Sequence, residues 1–398
     1  MRKSLFVLAV TATAFAATAF GAGLETPRPE TVVADDQAQA PAPAPAAGEA
    51  PKPADATPPP PPPKYGGWAF NVMGDAYTTH NGNGPTQDVN QLQNFDLHQG
   101  APRFSLGKFT VDKSDGVLGV HVDVGVGETM RLIHATDPAA IQHKGLRYFE
   151  QMYAIYKPKN SHGTEIDFGQ FVTSAGAEVI ESSSNWNYTR SLLFAWAIPY
   201  YHFGLKTTTP VTKELTVGFQ LINGWNNVWG NHTLQNAAFT VAYTKPKYTY
   251  SLNYYVGKSD VGTAVGVRNL LDTTILLTPN SKLSVYVNFD RGRNNRFIGG
   301  YDQWYGLAGA ARYQLTKIFA VAGRAEFFND PTGFSTGQKQ QLKEGTLTGE
   351  AKLNDHLVTR LEYRHDASDH AFFDRGKLAP STGANTLTLG IVTLWGWK

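Results

Sequence analysis

The sequence predicts an all-β protein that forms a closed antiparallel transmembrane β-barrel of about 16 strands, within a range of roughly 14 to 18. Three observations support this fold class. Short turns alternate with long polar loops, the segments between them alternate apolar and polar residues, and many of these segments are long enough to cross a bilayer. Five of the short turns lie at 208–213, 244–247, 278–282, 315–317 and 353–356.

The alternation has a period of two residues, which is typical of a strand with one apolar face. From Leu118 to Val126, every second residue is Leu or Val, and the residues between them are Gly, His or Asp. A soluble strand has about five or six residues, whereas a tilted spanning strand needs about 9–11. Aromatic residues such as Trp68 and Trp395 gather near segment ends, where their rings suit the membrane–water boundary.

Sixteen such segments can be counted, from 66–78 to 384–396. An even number of strands places both chain ends on the side of the short turns, which is the periplasmic side in bacterial outer-membrane barrels. We therefore expect a protein of the bacterial outer membrane with both termini in the periplasm. Its expected partners are outer-membrane lipid, lipopolysaccharide and the outer-membrane assembly machinery.

The first 64 residues predict two segments outside the barrel. Basic residues, a short apolar run and small residues follow one another in 1–22, which is the pattern of a secretory signal peptide. Residues 23–64 are rich in Pro and Ala and include an unbroken proline run at 58–63, which favours a disordered periplasmic linker. This linker is either a passive leader or an arm in contact with the cell wall. The barrel is expected over 65–398.

Composition excludes several classes of function. Removal of Arg2 and Lys3 with the signal peptide leaves 33 basic and 33 acidic side chains, and this balance argues against a nucleic-acid partner. The chain has no cysteine, so disulfides and thiolate metal sites are excluded. No catalytic, nucleotide-binding or metal-binding motif stands out, so the sequence predicts no enzymatic activity, no cofactor and no metal site.

Charged residues within the alternating segments predict a water-filled lumen. A charged side chain that faces lipid is costly, so these residues are expected to point inward. A closed barrel of sixteen strands is wide enough for an aqueous channel. Arg and Glu on neighbouring strands could instead neutralise each other as structural pairs. The candidate pore-lining residues are His121, Asp123, Arg312, Arg324, Glu326, Arg360, Glu362 and Arg364.

The segment 170–196 is the third long loop and carries more apolar residues than a free surface loop should, among them Leu193 and Trp196. Such a segment needs a surface to pack against. We expect it to fold into the barrel and narrow the pore, or else to pack across the barrel mouth or begin the next strand early. In the first case the charges at the constriction would be those of Glu178, Glu181 and Arg190.

Three stretches around this loop, Phe168–Thr173, Asn187–Phe194 and Pro199–Gly204, resemble the OmpL-like outer-membrane β-barrel porins of Gram-negative bacteria. The resemblance extends over most of 65–398 and implies a channel for small hydrophilic solutes or ions, without catalytic residues. The mixed signs of the inward charges predict weak charge selectivity.

Functions of two other classes stay open on the sequence alone. The first is a structural or adhesive envelope barrel that 23–64 would tether. The second is an outer-membrane barrel hydrolase, in which groups such as Ser174 and His202 would meet only in space.

Overall fold

The computed structural model describes residues 66–137, 145–228, 236–259, 266–296 and 299–397. The predicted signal peptide, 1–22, and the predicted linker, 23–64, lie outside the described residues.

The described chain consists almost entirely of long β-strands. They are β1 (Ala69–Asn81), β2 (Arg103–Lys113), β3 (Leu118–Val126), β4 (Phe149–Tyr156), β5 (Glu165–Val172), β6 (Tyr201–Pro210), β7 (Leu215–Ile222), β8 (Asn236–Lys245), β9 (Tyr248–Ser259), β10 (Gly266–Leu277), β11 (Leu283–Asn295), β12 (Tyr301–Gln314), β13 (Phe319–Asp330), β14 (Gln340–Asn354), β15 (Leu357–Ser368), β16 (Phe373–Arg375), β17 (Leu378–Ser381) and β18 (Gly383–Trp397). Two short α-helices, α1 (Glu128–Ile133) and α2 (Leu192–Trp196), and two 3-10 turns, Gly145–Tyr148 and Ser182–Ser184, lie in the loops.

Sixteen of these strands form a closed antiparallel barrel, as the sequence predicts. Each strand pairs with its neighbours in the chain, and β1 closes the barrel by pairing with β18 from Phe70↔Trp397 to Asn81↔Thr386. Strands β16 and β17 form a separate hairpin inside the last long loop. The alternation did not reveal this hairpin because its strands have only three and four residues.

The two faces of the wall follow the sequence alternation. Outward apolar side chains are exposed, as at Leu118 with 70% and Phe168 with 55% of their surface accessible. Inward charged side chains such as Asp123 and Glu362 are buried. The exposed apolar band suits contact with lipid, and the polar groups are kept on the inside.

The two ends of the barrel differ as predicted. One end has short turns such as 246–247 and 355–356, and the other end has long connections such as 82–102 and 173–200. The third long connection starts later and ends later than the predicted 170–196, because β5 continues to Val172 and β6 begins only at Tyr201. No helix among the described residues is long and apolar enough to span a membrane.

Candidate functional site

The third long connection, residues 173–200, runs inside the barrel, and we call it the inner segment. Its side chains contact strands on several sides of the wall, including Asp75 on β1, Tyr255 on β9, Tyr286 on β11 and Glu362 on β15. Within it, Ser184 is the one residue classed as exposed. Its fully buried apolar side chains include Tyr188, Leu192, Leu193, Phe194 and Ile198. The apolar character of this loop is therefore explained by burial in the lumen.

Glu362 on β15 fixes the middle of the inner segment. Its carboxylate accepts hydrogen bonds from the backbone N–H groups of Tyr188, at 2.6 Å, and Thr189, at 2.9 Å, and from the Thr189 hydroxyl. The hydroxyl of Thr348 on β14 also donates to it at 2.6 Å. A buried carboxylate with several donors is well satisfied, so Glu362 acts here as an anchor for backbone that no strand pairs.

A second glutamate of the wall holds the start of helix α2. Glu326 on β13 accepts from the backbone N–H groups of Leu192, at 3.0 Å, and Leu193, at 3.2 Å. The Ser191 hydroxyl caps the same helix by accepting from the Phe194 N–H at 2.8 Å. The first N–H groups of a helix lack partners within the helix and attract negative charge. Because Ser191 starts a helix here, strand β6 begins after it.

Arg324 on β13 ties the wall to the first part of the inner segment. Its guanidinium lies 2.7 Å from the Glu178 carboxylate and donates to the Thr189 carbonyl oxygen at 2.8 Å. It also pairs with Glu326 at 3.0 Å and with Glu344 on β14 at 3.1 Å. All four charged groups are buried, so their desolvation is compensated only by this network.

Two further arginines of β15 hold carbonyl groups of the inner segment. Arg360 donates to the Ser182 carbonyl oxygen, and Arg364 donates to the Arg190 carbonyl oxygen at 2.6 Å. On the other side of the closing seam, Asp75 accepts from the Ser182 hydroxyl at 2.6 Å and from the Tyr188 hydroxyl at 2.7 Å. Side chains of the barrel thus replace the strand pairing that this backbone lacks.

The first long loop, 82–102, packs against the inner segment. The Phe95 ring lies edge-on to Phe194, with ring centroids 5.1 Å apart, and the Arg190 guanidinium lies 4.5 Å from the centroid of the Phe95 ring. The Asn94 amide donates to the Ala195 carbonyl oxygen at 3.2 Å. The first and third long loops therefore pack against each other.

A second cluster of charges keeps partial contact with water. The Lys108 ammonium on β2 forms an ion pair with Glu181 of the inner segment and lies 3.4 Å from both Asp123 and Glu150. The His121 ring on β3 bridges Asp112 and Asp123 at 3.1 Å each. The side chains of Lys108, His121 and Glu181 have 10%, 16% and 18% of their surface exposed. This cluster is therefore less deeply buried than the network around Arg324.

The predicted pore-lining residues all point inward, but they divide into two groups. His121 and Arg312 are partly accessible, and the Arg312 guanidinium pairs with Glu350 at 2.6 Å. The other six are buried in ion pairs or beneath the inner segment: Asp123, Arg324, Glu326, Arg360, Glu362 and Arg364. The pore-lining role of all eight stays a prediction.

The predicted constriction charges lie at three different places on the inner segment. Glu178 is buried against Arg324, and its carboxylate also accepts from the Ser191 N–H at 2.7 Å. Arg190 is buried, and its guanidinium donates to the carbonyl oxygens of Tyr188 and Ile180. Glu181 alone among the three is partly exposed, next to Lys108.

Sequence reasoning missed several residues that hold the lumen together. Asp75, Lys108, Glu344 and Glu350 lie at inward positions of β1, β2 and β14 and contact the groups described above. The signal was available, because a charged residue at the inward position of an alternating segment is expected to face the lumen. Ser174 and His202 do not form a pair: the Ser174 hydroxyl bonds the Tyr255 hydroxyl at 2.8 Å, and the His202 ring bonds the Gly224 carbonyl oxygen at 2.8 Å.

Comparison with known proteins gives one family and many structures of the same fold. The model of the family described as "Putative beta-barrel porin-2, OmpL-like" matches residues 69–394. No curated protein matches the chain.

Among solved structures, the outer-membrane expressed OmpT of Vibrio cholerae is similar with a TM-score of 0.55 and 12% identity, over 84% of this chain and 100% of that one. The outer membrane channel DcaP of Acinetobacter baumannii has a TM-score of 0.54 and 10% identity, over 82% and 96%. The anion-selective porin from Comamonas acidovorans has a TM-score of 0.52 and 12% identity, over 82% and 98%. At such low identity these structures support the barrel fold alone.

Proposed function

The chain belongs to the OmpL-like β-barrel porin family, and we propose that its inner segment is the element that limits the passage of small hydrophilic solutes and ions. As a porin of the bacterial outer membrane, the protein contacts membrane lipid and solutes. The observation that carries the proposal is the course of residues 173–200 through the lumen, from Asp75 on one side of the closing seam to Tyr286 across the barrel. Solutes would diffuse through the space that this segment leaves free.

The accessible charges support weak charge selectivity. The partly accessible basic side chains are Lys108 and Arg312, and the partly accessible acidic side chains are Glu181 and Glu350. His121 adds a group that is cationic only when protonated. Since neither sign dominates, neither anions nor cations would be strongly excluded. These five residues are our candidates for the lining of the pore.

The barrel ends support a periplasmic location of both termini. The strand number is even, and the short turns lie at the same end as the start of β1 and the end of β18. We assign 1–22 to export and 23–64 to the periplasm, where the linker could reach the cell wall. The assembly machinery of the outer membrane would insert 65–398.

Planar-bilayer recording of the purified protein tests the proposed function. To test the role of the inner segment, a variant removes most of it by replacing residues 174–199 with Asn-Gly. This turn can close β5 and β6, because Val172 pairs with Tyr201 and the Thr173 N–H donates to the Tyr200 carbonyl oxygen at 3.0 Å. We expect discrete conductance steps from both proteins, with steps at least about threefold larger in the variant because the wide lumen of a sixteen-strand barrel is then open.

Two results would contradict the proposal. A complete chain that gives no conductance steps would exclude a channel. A variant with the same step size as the complete chain would show that the inner segment does not limit passage.

Selectivity is read from the reversal potential in a KCl gradient. We expect a cation-to-anion permeability ratio between roughly 0.3 and 3 for a lumen of mixed charge, and a strongly one-sided ratio would exclude weak selectivity.

A further inference from the structure

Five consecutive turns at the short-turn end of the barrel, between β4 and β13, each contain one lysine with an exposed side chain. The turns are 157–164, 211–214, 246–247, 278–282 and 315–318. The exposed lysines, which we call the lysine row, are Lys159, Lys213, Lys247, Lys282 and Lys317. Adjacent turns are two strands apart, so they lie about 10 Å apart along the rim at the usual strand spacing of about 4.8 Å. The row therefore forms an arc of positive charge along one part of the rim.

The described part of the chain does not neutralise this charge. The five turns contain one acidic residue, Glu214, and its carboxylate pairs with Lys245 at the end of β8 at 3.1 Å. None of the lysines in the row forms an ion pair or a side-chain hydrogen bond with a described residue. The basic groups of the lumen differ, since Lys108 and Arg312 both pair with glutamates. The charge of the row is thus available to a partner outside the barrel.

The excess of positive charge is confined to this part of the rim. In the short turns on either side of the row, lysine is paired with aspartate. The Lys113 ammonium lies 3.1 Å from Asp115, and the Lys352 ammonium lies 2.8 Å from Asp355. The row is therefore a local feature of the strands from β4 to β13 and not a general property of the short turns.

Exposed apolar side chains accompany the lysines. Each of the five turns has one within it or directly beside it, and these residues are Tyr156, Val211, Tyr248, Leu277 and Ile318. Tyrosine rings at strand ends suit the membrane–water boundary. A lysine at this level can lay its apolar stem along the membrane and keep its ammonium group among the polar headgroups. This pairing of apolar and cationic side chains indicates that the row lies at the surface of the bilayer.

We propose that the lysine row binds the phosphate groups of anionic phospholipids such as phosphatidylglycerol. Lysine binds phosphate as a point charge, and basic side chains close to an anionic membrane surface are attracted to it. With the short turns in the periplasm, as proposed above, the row faces the phospholipid leaflet of the outer membrane. A cell-wall polymer also carries negative charge, but it offers no apolar surface for Val211 or Ile318.

The row gives the barrel a preferred lipid on one side only. Anionic lipid would collect along the strands from β4 to β13, and the remaining wall would show no such preference. This inference goes beyond solute passage and does not use conductance. A barrel that fails to conduct could still bind the lipid, so the two proposals fail independently.

The test counts bound lipids by native mass spectrometry on the full chain, purified in a neutral detergent. Phosphatidylglycerol and phosphatidylcholine with the same acyl chains are titrated in turn. The triple variant carries Lys247→Gln, Lys282→Gln and Lys317→Gln. The control variant has the same change of charge in the long loops at the other end, where three exposed basic residues are replaced: Lys339→Gln, Arg375→Gln and Lys377→Gln.

We expect the unsubstituted protein and the control variant to bind phosphatidylglycerol at least about tenfold more tightly than phosphatidylcholine. The triple variant should bind phosphatidylglycerol at least about tenfold more weakly than the control variant does, with its binding of phosphatidylcholine unchanged. Conductance steps of the triple variant should equal those of the complete chain, because the row lies outside the lumen.

Thermal unfolding of the unsubstituted protein tests the proposal even if the triple variant fails to fold. Phosphatidylglycerol should raise the midpoint above that in phosphatidylcholine, and the difference should disappear at high salt, because exposed charges are screened. Inorganic phosphate at the same concentration should give no shift, since it brings no acyl chain to the barrel.

Four outcomes would overturn the proposal. The first is an unsubstituted protein without preference for phosphatidylglycerol, and the second is a triple variant that keeps the preference in full. The third is a shift of the midpoint by inorganic phosphate alone. The fourth is co-sedimentation with purified cell wall that the triple variant loses, without any lipid preference, which would assign the row to the cell wall.

Discussion

At the scale of single residues, Asp96 shows how the long loops constrain the chemistry of the lumen. It lies in the first long loop, and both of its carboxylate oxygens are buried without a hydrogen-bond partner in the described residues. Burial raises the pKa of Asp96 to about 7, although the nearby Arg364 and Arg190 oppose this by attracting the charged form. Near neutral pH, Asp96 is therefore held partly protonated.

This pKa predicts a dependence of stability on pH. The pKa of the folded protein lies above the unfolded value of 3.8, so the folded chain binds the proton more tightly. Its contribution to stability is complete below about pH 4 and is lost as the pH rises through about 7. Asp96→Asn mimics the protonated form, so it should match the unsubstituted protein at pH 4 and be more stable by about 1–3 kcal/mol at pH 8.

The measurement is unfolding by guanidinium in detergent at both pH values. Asp88→Asn serves as the control, because that aspartate lies in the same loop with an exposed side chain, which accepts from the Gln99 side-chain amide at 3.1 Å. An equal effect of Asp96→Asn at pH 4 and pH 8 would show that Asp96 is not protonated by folding in this range.

At the scale of elements, a glycine in the wall makes room for a side chain of the inner segment. Gly390, at an inward position of β18, lies against the ring of Tyr188, and a Cβ atom at this position would overlap that ring. The Tyr188 hydroxyl reaches Asp75 on the neighbouring strand β1 at 2.7 Å. The glycine thus allows an aromatic side chain of the inner segment to lie flat against the barrel.

We expect Gly390→Ala to displace Tyr188 and to destabilise the protein by about 1–3 kcal/mol, as overpacking usually does. The matched control is Gly345→Ala on β14, where no atom lies within 4 Å of an added Cβ, and this change should stay within about 0.5 kcal/mol. Guanidinium unfolding compares the two. Equal stabilities of both variants would show that the Tyr188 ring is not held against β18.

This packing explains why the sequence predicts that the third loop is buried but does not predict which residues it contacts. Its apolar residues show that it is buried somewhere, but its anchors are far away in the chain: Glu178 meets Arg324, and Tyr188 meets Glu362. Nothing in the loop itself selects those partners from the other inward charges. Its role as the limiting element is therefore tested by the replacement of 174–199.

At the scale of the whole molecule, the charges of the lumen are arranged as a network more than as open rings. Arg324 forms ion pairs with three glutamates, Glu178, Glu326 and Glu344. Arg360 pairs with Glu350 at 2.7 Å. Buried pairs of this kind are costly to break, because removal of one partner leaves an uncompensated charge. The barrel thus uses most of its inward charge for structure and leaves a smaller set, around Lys108, in contact with water.

Deletion of 24–64 tests whether the channel is independent of the predicted linker. We expect the shortened protein to insert into membranes and to keep the conductance step of the complete chain within about 20%. The reason is that the barrel closes by the pairing of β1 with β18, which begins after the deleted residues. Planar-bilayer recording measures this. Co-sedimentation with purified cell wall, done in parallel, detects a tether: a loss of association on deletion supports the arm, and a loss of conductance would contradict an independent barrel.

The sequence alone determined the wall. Strand period, an even strand count and the alternation of turns and loops are imposed locally, because each outward residue meets lipid and each inward residue meets the lumen. Positions such as Arg324 and Glu362 could therefore be placed on the inner face from the alternation. Only the tertiary structure decided which of them stay in contact with water. That depends on the course of 173–200, whose contacts join residues more than a hundred positions apart, such as Glu178 with Arg324 at 2.7 Å.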